Sequence, residues 1–376
     1  MNGLFSTPLA AAALALAVLI YTYAGYPALL ALLRRVRPLH PRLDPTWTPT
    51  VTACVAAYNA GATLEAKLAS LTAFDYPADK LDILVYSDGS SDRTDEITAA
   101  WSARDPRVRL IAGQSRQGKP SALNAMAERA RGEVLLLTDA RQPVERGALR
   151  AMLALLADPS VGCVTGNLRL EGAAGSGVYW RYENWIRRSE ARFRSVVGMT
   201  GPLSAIRRND LSPLPSNLIL DDVWIPMRLR LQGRRILFCE EALAFDRAFD
   251  DEREFARKVR TLAGNYQIFA LMPALLVPFV NPSWFETWSH KIMRLICPWA
   301  LAVLLVACVL GVWRGGTAAF SLLATLLAGQ VLFYAGALAG SRAGRMGTVA
   351  RTFVVLNAAA VVGLWRFLAG RQKVIW

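Results

Sequence analysis

The chain has 376 residues, of which 53% are hydrophobic, and a formal net charge of +14. That length allows one large domain or two ordinary ones, and nothing along it resembles a nucleic-acid module that would account for the basic excess. The five cysteines are scattered and odd in number, which excludes a disulfide or zinc framework. With only two histidines, a metal site must be built from oxygen ligands.

Residues 7–33 carry no charged side chain. A bilayer core needs roughly 20 apolar residues in helix, so this stretch is long enough to cross. It has no basic n-region, is too long for a cleaved signal peptide, and is followed by Arg34, Arg35 and Arg37. These arginines mark the cytoplasmic end of a retained anchor, placing the N-terminus outside and the following domain in the cytoplasm. Pro38, Pro41, Pro45 and Pro49 form a stiff linker. Strands and helices then alternate. Thr50–Ala57, Leu81–Tyr86, Val108–Ile111, Glu133–Thr138 and Val161–Thr165 read as strands. Ala62–Leu71, Thr94–Ala103, Lys119–Arg131 (capped by Gly132) and Gly147–Leu156 read as helices. This alternation implies βαβ units and a parallel sheet covered on both faces, within a soluble domain over residues 38–260.

Residues 261–285 are also free of charge, but Pro273, Pro278 and Pro282 interrupt them. A crossing here would carry Arg342, Arg345 and Arg351 to the outer face, against the positive-inside bias. Residues 261–292 are therefore expected to lie in the membrane interface as helices. Leu295–Trp313, Gly315–Ser341 and Thr352–Trp365 are uncharged. They predict three further crossings within 293–370, the last short unless Arg366 snorkels. That last helix would end outside with Arg371 and Lys373, an exception to the same bias. The basic residues beside the apolar stretches, Lys291 and Arg294 included, suit the anionic inner leaflet of a bacterial-type inner membrane. The bilayer is thus one expected partner and nucleic acid is not.

Acidic residues recur at the strand ends: Asp88-Gly89-Ser90-Ser91-Asp92 after the second strand, and Asp139 after Glu133–Thr138. Either could be a plain turn, with Ser91 or Asp92 capping a helix. Two such turns at the carboxyl ends of one parallel sheet point to a shared ligand site, where carboxylates suit ribose hydroxyls, a base N–H or a divalent cation. Neither Gly-x-Gly-x-x-Gly nor a P-loop is present, which excludes dinucleotide enzymes and P-loop phosphotransferases.

These residues resemble the processive-type family 2 glycosyltransferases, which include cellulose, chitin, hyaluronan and poly-N-acetylglucosamine synthases. Val55-Ala56-Ala57-Tyr58-Asn59 is similar to that family's opening strand and turn, and Asp88–Asp92 to its Asp-Gly-Ser-x-Asp. Gly118-Lys119-Pro120-Ser121-Ala122-Leu123-Asn124 is similar to its Gly-Lys…Ala-Leu-Asn. Thr138-Asp139-Ala140 opens its Asp-x-Asp position. Gly201 with Arg207-Arg208 looks like its acceptor-side segment, and Leu220-Asp221-Asp222 looks like its Thr-Glu-Asp. The resemblance covers nearly the whole chain. It implies an α/β fold of the A-type glycosyltransferase class, with a Rossmann-like, mostly parallel sheet inserted between transmembrane helices.

The resemblance also implies roles. Tyr58 would pack on the nucleotide base, with Ala56 allowing close approach; Asp88 would accept from the base or ribose; Lys119 would neutralise a phosphate. Asp222 would be the general base for the acceptor hydroxyl, although it could instead cap the helix that follows. Gly201 and Asp221 would lie on the acceptor side. Two departures stand out. Asp-x-Asp reads Asp139-Ala140-Arg141, so Asp139 would hold Mg²⁺ or Mn²⁺ with other partners, or Arg141 would itself cover diphosphate charge. Gln-x-x-Arg-Trp reads Arg257-Lys258-Val259-Arg260-Thr261, which keeps cations to grip the diphosphate and loses the stacking Trp.

The expected activity is inverting transfer of a sugar from a nucleotide-diphosphate donor, UDP-linked, to a membrane-proximal glycan or lipid, in exopolysaccharide or glycolipid synthesis. Two alternatives remain: a non-catalytic membrane subunit that keeps the fold, and a polyprenyl-phosphate sugar transferase. Four crossings and the missing Trp argue against a long-chain polymerase with its own channel; an export partner is left open.

Overall fold

The computed structural model describes residues 7–171, 176–247, 251–315 and 319–372. The anchor is almost unbroken helix: α1 (Thr7–Ile20), a π-helical turn (Tyr21–Gly25) and α2 (Tyr26–Val36), whose last turn carries Arg34 and Arg35. The alternating region follows as β1 (Val51–Ala57), α3 (Leu64–Thr72), β2 (Leu81–Ser87), α4 (Thr94–Arg104) and β3 (Val108–Ala112). Then come α5 (Lys119–Arg129), β4 (Val134–Asp139), α6 (Ala148–Leu156) and β5 (Val161–Glu171). Beyond it lie α7 (Ser176–Phe193), β6 (Ser204–Arg207), α8 (Asp221–Leu231), β7 (Arg235–Arg247) and α9 (Asp251–Leu271). The chain closes with one turn, α10 (Trp284–Glu286), and then α11 (Met293–Arg314), α12 (Phe320–Ala339) and α13 (Gly344–Leu368).

The strands form one sheet in the order β3-β2-β1-β4-β6-β5-β7. β1, β2, β3 and β4 run parallel, as do β5 and β7, while β6 is antiparallel to both its neighbours. Every residue of β1 is buried, as a strand covered on both faces requires. Register brings the strand ends level, with Ala56 opposite Asp139. The ligand-binding edge of such a sheet is therefore a short groove above β1 and β4. Gly132 differs from expectation: α5 ends at Arg129, and a Cβ on Gly132 would stand 2.4 Å from the Thr52 nitrogen. The glycine permits backbone contact with β1; it does not cap the helix.

Among the described residues, three helical stretches are long and apolar enough to cross a membrane: Thr7–Val36, Trp284–Arg314 and Phe320–Leu368. A 3₁₀ turn at Gly340–Ala343 folds the third back into α12 and α13. The charge-free segment after residue 260 breaks up as its prolines predict. Helix α9 stops at Leu271, a 3₁₀ turn spans Pro273–Leu276, and helix resumes at Trp284.

A buried polar network ties the anchor to the domain and to the start of α11. The Tyr26 hydroxyl donates to Glu190 at 2.7 Å, His290 reaches Glu190 at 2.7 Å and Glu183 at 3.2 Å, and Arg294 pairs with Glu183. Helix α13 meets the domain too. Phe367 stacks on Tyr266 of α9 with centroids 6.3 Å apart, and a Cβ on Gly363 would come within 2.9 Å of the Ala263 nitrogen. Phe353, near the middle of α13, lies 5.0 Å from Tyr23 of the anchor.

Candidate active site

A cleft of about 530 Å³ opens at the carboxyl ends of β1 and β4. Of the residues singled out above, Ala56, Tyr58, Lys119, Asp139, Arg141, Gly201, Asp221, Asp222, Arg257 and Arg260 line it. Thr261, which stands in place of the family's Trp, lines it as well. Asp88 and Lys258 do not.

At the centre, the Lys119 ammonium bridges two carboxylates, Asp139 at 2.8 Å and Asp221 at 3.0 Å. Burial alone would lower the lysine, but the two carboxylates more than offset it and hold the ammonium well above its usual range. Burial would likewise raise Asp139; the Lys119 charge and hydrogen bond, backed by Lys67 and Arg141, hold it below the usual carboxylate range. Gly201 lies beside this pair, where a Cβ would make ordinary contacts, 3.7 Å from Asp139 Oδ2 and 3.9 Å from Lys119 Nζ.

Asp222 occupies the first turn of α8, one residue inside it, so it is not the N-cap; that position belongs to Leu220. Its Oδ1 is buried without a hydrogen-bond partner. Burial, and then the charge of Asp221, pushes its carboxyl up to about 6. A carboxylate with an idle buried oxygen and a pKa lifted toward neutrality is suited to accept a proton from a ligand in the cleft.

Arg141 faces the cleft, but its guanidinium forks onto Asp246 of β7 at 2.8 and 3.2 Å. Gln142 donates to the same carboxylate at 2.8 Å. Sequence reasoning missed Asp246, which lies 105 residues from Arg141 with no motif around it.

Asp88 is buried, with both oxygens taken by the backbone N–H groups of Gln117 (2.8 Å) and Gly118 (2.7 Å). It staples the loop before α5 to the end of β2. Gly118 has a φ of 90°, a conformation glycine adopts freely. That loop places the Arg116 guanidinium 3.7 Å from the Tyr58 ring centroid. One face of the tyrosine expected to meet a nucleotide base is thus covered by a cation, a contact with no sequence signal. Asp92 also proves structural, accepting from Thr94 and from the Gly61 nitrogen.

On the far side, Arg257 pairs with Glu254 and Arg260 donates to the Ile219 carbonyl at 3.2 Å. Lys258 points elsewhere, 3.4 Å from Glu254 and 5.3 Å from the Tyr179 centroid. Arg207 and Arg208 are spent on the Leu156 and Ala130 carbonyls. Arg187, held on the Thr200 hydroxyl at 2.6 Å, and Trp180 complete the lining from α7.

Residues 52–213 match Glycosyl transferase family 2. The chain carries a family 2 glycosyltransferase domain. Over 213 residues it is 26% identical to a probable glycosyltransferase, YdaM, of Bacillus subtilis, covering 53% of this chain and 50% of that one. Over 198 residues it is 27% identical to the poly-β-1,6-N-acetyl-D-glucosamine synthase of Staphylococcus aureus, covering 50% and 47%. The chain spans about half the length of the curated relatives it matches. Among solved structures it is similar to the mannosyltransferase PcManGT from Pyrobaculum calidifontis, in complex with GDP-Man and Mn²⁺. That likeness has a TM-score of 0.77 at 26% identity and extends over 96% of this chain and 100% of that one. The transferase domain thus has the A-type glycosyltransferase fold, with its matched segment ending shortly before α8 and α9 bring in Asp222 and Arg260.

Proposed function

We propose that the protein is an inverting glycosyltransferase that moves a sugar from a nucleotide-diphosphate donor to a hydroxyl of a glycan or lipid acceptor at the membrane surface. One observation carries this reading: the idle, buried Asp222 carboxylate opens into the same cleft as the Lys119–Asp139 pair. Asp222 takes the proton of the acceptor hydroxyl as its oxygen forms a bond to the anomeric carbon. The bond from that carbon to the diphosphate breaks, and its electron pair leaves with the nucleotide. Attack opposite the leaving group inverts the anomeric centre. Lys119 and Arg260 supply positive charge on the two sides of the cleft, where the departing diphosphate gains charge.

A divalent cation accompanies the donor in the PcManGT complex. Among the described residues, no three His, Cys, Asp or Glu side chains stand together as a cage. Asp221 shares Lys119 with Asp139, and Asp246 is held by Arg141 and Gln142. This donor set fits an ion held by one carboxylate, Asp139, with the rest of its shell from donor phosphates and water, an arrangement Mg²⁺ commonly adopts. Bound there, the ion would neutralise charge on the leaving diphosphate.

The donor nucleotide is open between two pointers. The synthase relative's name gives an N-acetylglucosamine product, and PcManGT was solved with GDP-Man. Purified protein in native lipids, offered a panel of UDP- and GDP-linked sugars, should release nucleotide and give a product heavier by one or more sugars. A complete panel with no release, at a protein concentration where nucleotide binding is measurable, would favour the non-catalytic subunit.

The same reading places the transferase domain on the cytoplasmic face and revises the membrane path. The stacking of Phe367 on Tyr266 of α9 supports a path in which α13 returns to the domain's membrane side instead of crossing. Arg366 and Arg371 then stay on the inner face, removing the exception to the positive-inside bias. A C-terminal tag should be protected in intact cells and accessible in inverted vesicles; labelling from outside would restore a fourth crossing.

A further inference from the structure

Helix α3 buries a stripe at helical spacing: Leu64, Lys67, Leu68 and Leu71, all at 0% exposure. Three are ordinary core residues. The fourth is a lysine, and taking its charge out of water costs several kcal/mol. A leucine or methionine would fill the same place without that cost, so packing does not account for the residue.

Its hydrogen bonds do. The Lys67 ammonium donates to the Thr138 hydroxyl at 2.6 Å and to the Gln142 carbonyl at 2.7 Å, the two ends of the turn bearing Asp139 and Arg141. The Thr138 hydroxyl in turn donates to the Pro202 carbonyl at 2.6 Å, in the loop beside Gly201. The same turn is held from α3 by Ser70, which accepts from the Val144 nitrogen at 3.2 Å. From β7 it is held by Asp246 and by the Phe245 nitrogen, 2.9 Å from the Pro143 carbonyl.

We propose that Lys67 is a positioning residue of the donor site: its buried ammonium pins the turn carrying Asp139 and Arg141 and ties it, through Thr138, to the Gly201–Pro202 loop. Its role in turnover rests on the transferase reading above, whereas its hold on the turn does not. The charge also lies behind the Asp139 carboxylate and helps keep it ionised. Burial pushes the Lys67 ammonium down to about 7, with Asp139 pulling the other way, as a charge stranded in the core should behave.

The test is Lys67→Met in the full-length protein, read three ways. Melting temperature should fall by no more than a few degrees, since the cost of leaving the Gln142 carbonyl without its donor is offset by no longer burying a charge. Amide hydrogen exchange should accelerate across residues 139–144 and remain slow in β1. The donor KM should rise and kcat/KM fall on the order of 10²-fold, the scale of a misplaced site, with the acceptor KM unchanged. Thr138→Val combined with Lys67→Met should be no worse than Lys67→Met alone. If Lys67→Met does not assemble, Lys67→Gln takes its place with the same readouts, keeping part of the hydrogen bonding without the charge. Unchanged exchange in 139–144 would overturn the inference whether or not the wild type transfers sugar. So would a lowered melting temperature with wild-type kinetics per folded molecule. Wild-type protein inactive with every donor, but with exchange changed as expected, would sink the transferase reading and leave the positioning role standing.

Discussion

The two sides of the cleft are assembled by different kinds of contact. On the donor side, Ala56, Tyr58, Asp139 and Lys119 stand at the ends of parallel strands or at the start of a helix, where a short local motif fixes each position. On the opposite side, Asp222 comes from α8, which packs on β5 and β7 within the domain, while Arg260, Arg187 and Trp180 come from α9 and α7, which also pack against α13 and the anchor. A strand end is placed by its own sheet register. A helix surface is placed by whatever it packs on. Damage to the donor side should therefore be local and graded, and damage to the acceptor side should depend on the membrane stem.

The largest donor-side effect is expected at Lys119. Lys119→Met leaves Asp139 and Asp221 facing each other without their shared cation. Hydrogen bonds to charged groups contribute about 1.5–3 kcal/mol each, so nucleotide-sugar affinity should fall on the order of 10- to 100-fold by calorimetry. An unchanged affinity would move the diphosphate elsewhere.

The next effect belongs to the acceptor side. Asp222 must be ionised to accept a proton, and its carboxyl is raised to about 6. Activity should be full above that pH and lost as pH falls through it, with about one tenth remaining near pH 5. The measurement is kcat/KM against pH with nucleotide affinity followed in parallel. A fall in affinity that matches the fall in rate would assign the titration to the donor side.

The smallest effect is expected where the two sides touch. Asp246→Asn loosens the fork on Arg141, whose side chain is 46% exposed. The Asp246 side chain is only 7% exposed, but the guanidinium it holds is open to water, and such a pair contributes roughly 1 kcal/mol, so donor affinity should change by no more than about fivefold. Its direction is informative. A gain, together with a lower Mg²⁺ requirement, would mean that Arg141 moves onto the diphosphate once released. A loss would mean that the pair serves only to hold the turn.

How much of this could be read in the sequence follows the same division. The apolar runs of β1, β2 and β4 and the acidic turns after them marked the sheet and most of the donor-side lining, because strand, turn and carboxylate are adjacent in the chain. Asp88 was marked equally well, yet each of its oxygens accepts a backbone N–H, a partner choice no motif reveals. Asp246 and Lys67 were invisible for opposite reasons. One sits at the end of a long strand with no pattern around it, and the other hides a charge in an apolar stripe that reads as ordinary helix surface. Arg116 reaches Tyr58 only through the conformation of the loop that Asp88 holds.

The central claim is that one cleft both binds the donor and deprotonates the acceptor. It is tested most directly by nucleotide affinity and sugar transfer measured on the same preparation of Asp222→Asn. The account predicts wild-type affinity for the nucleotide with transfer reduced by at least 10²–10⁴-fold, the usual contribution of general-base catalysis. Transfer at the wild-type rate, or affinity and transfer lost together, would contradict it.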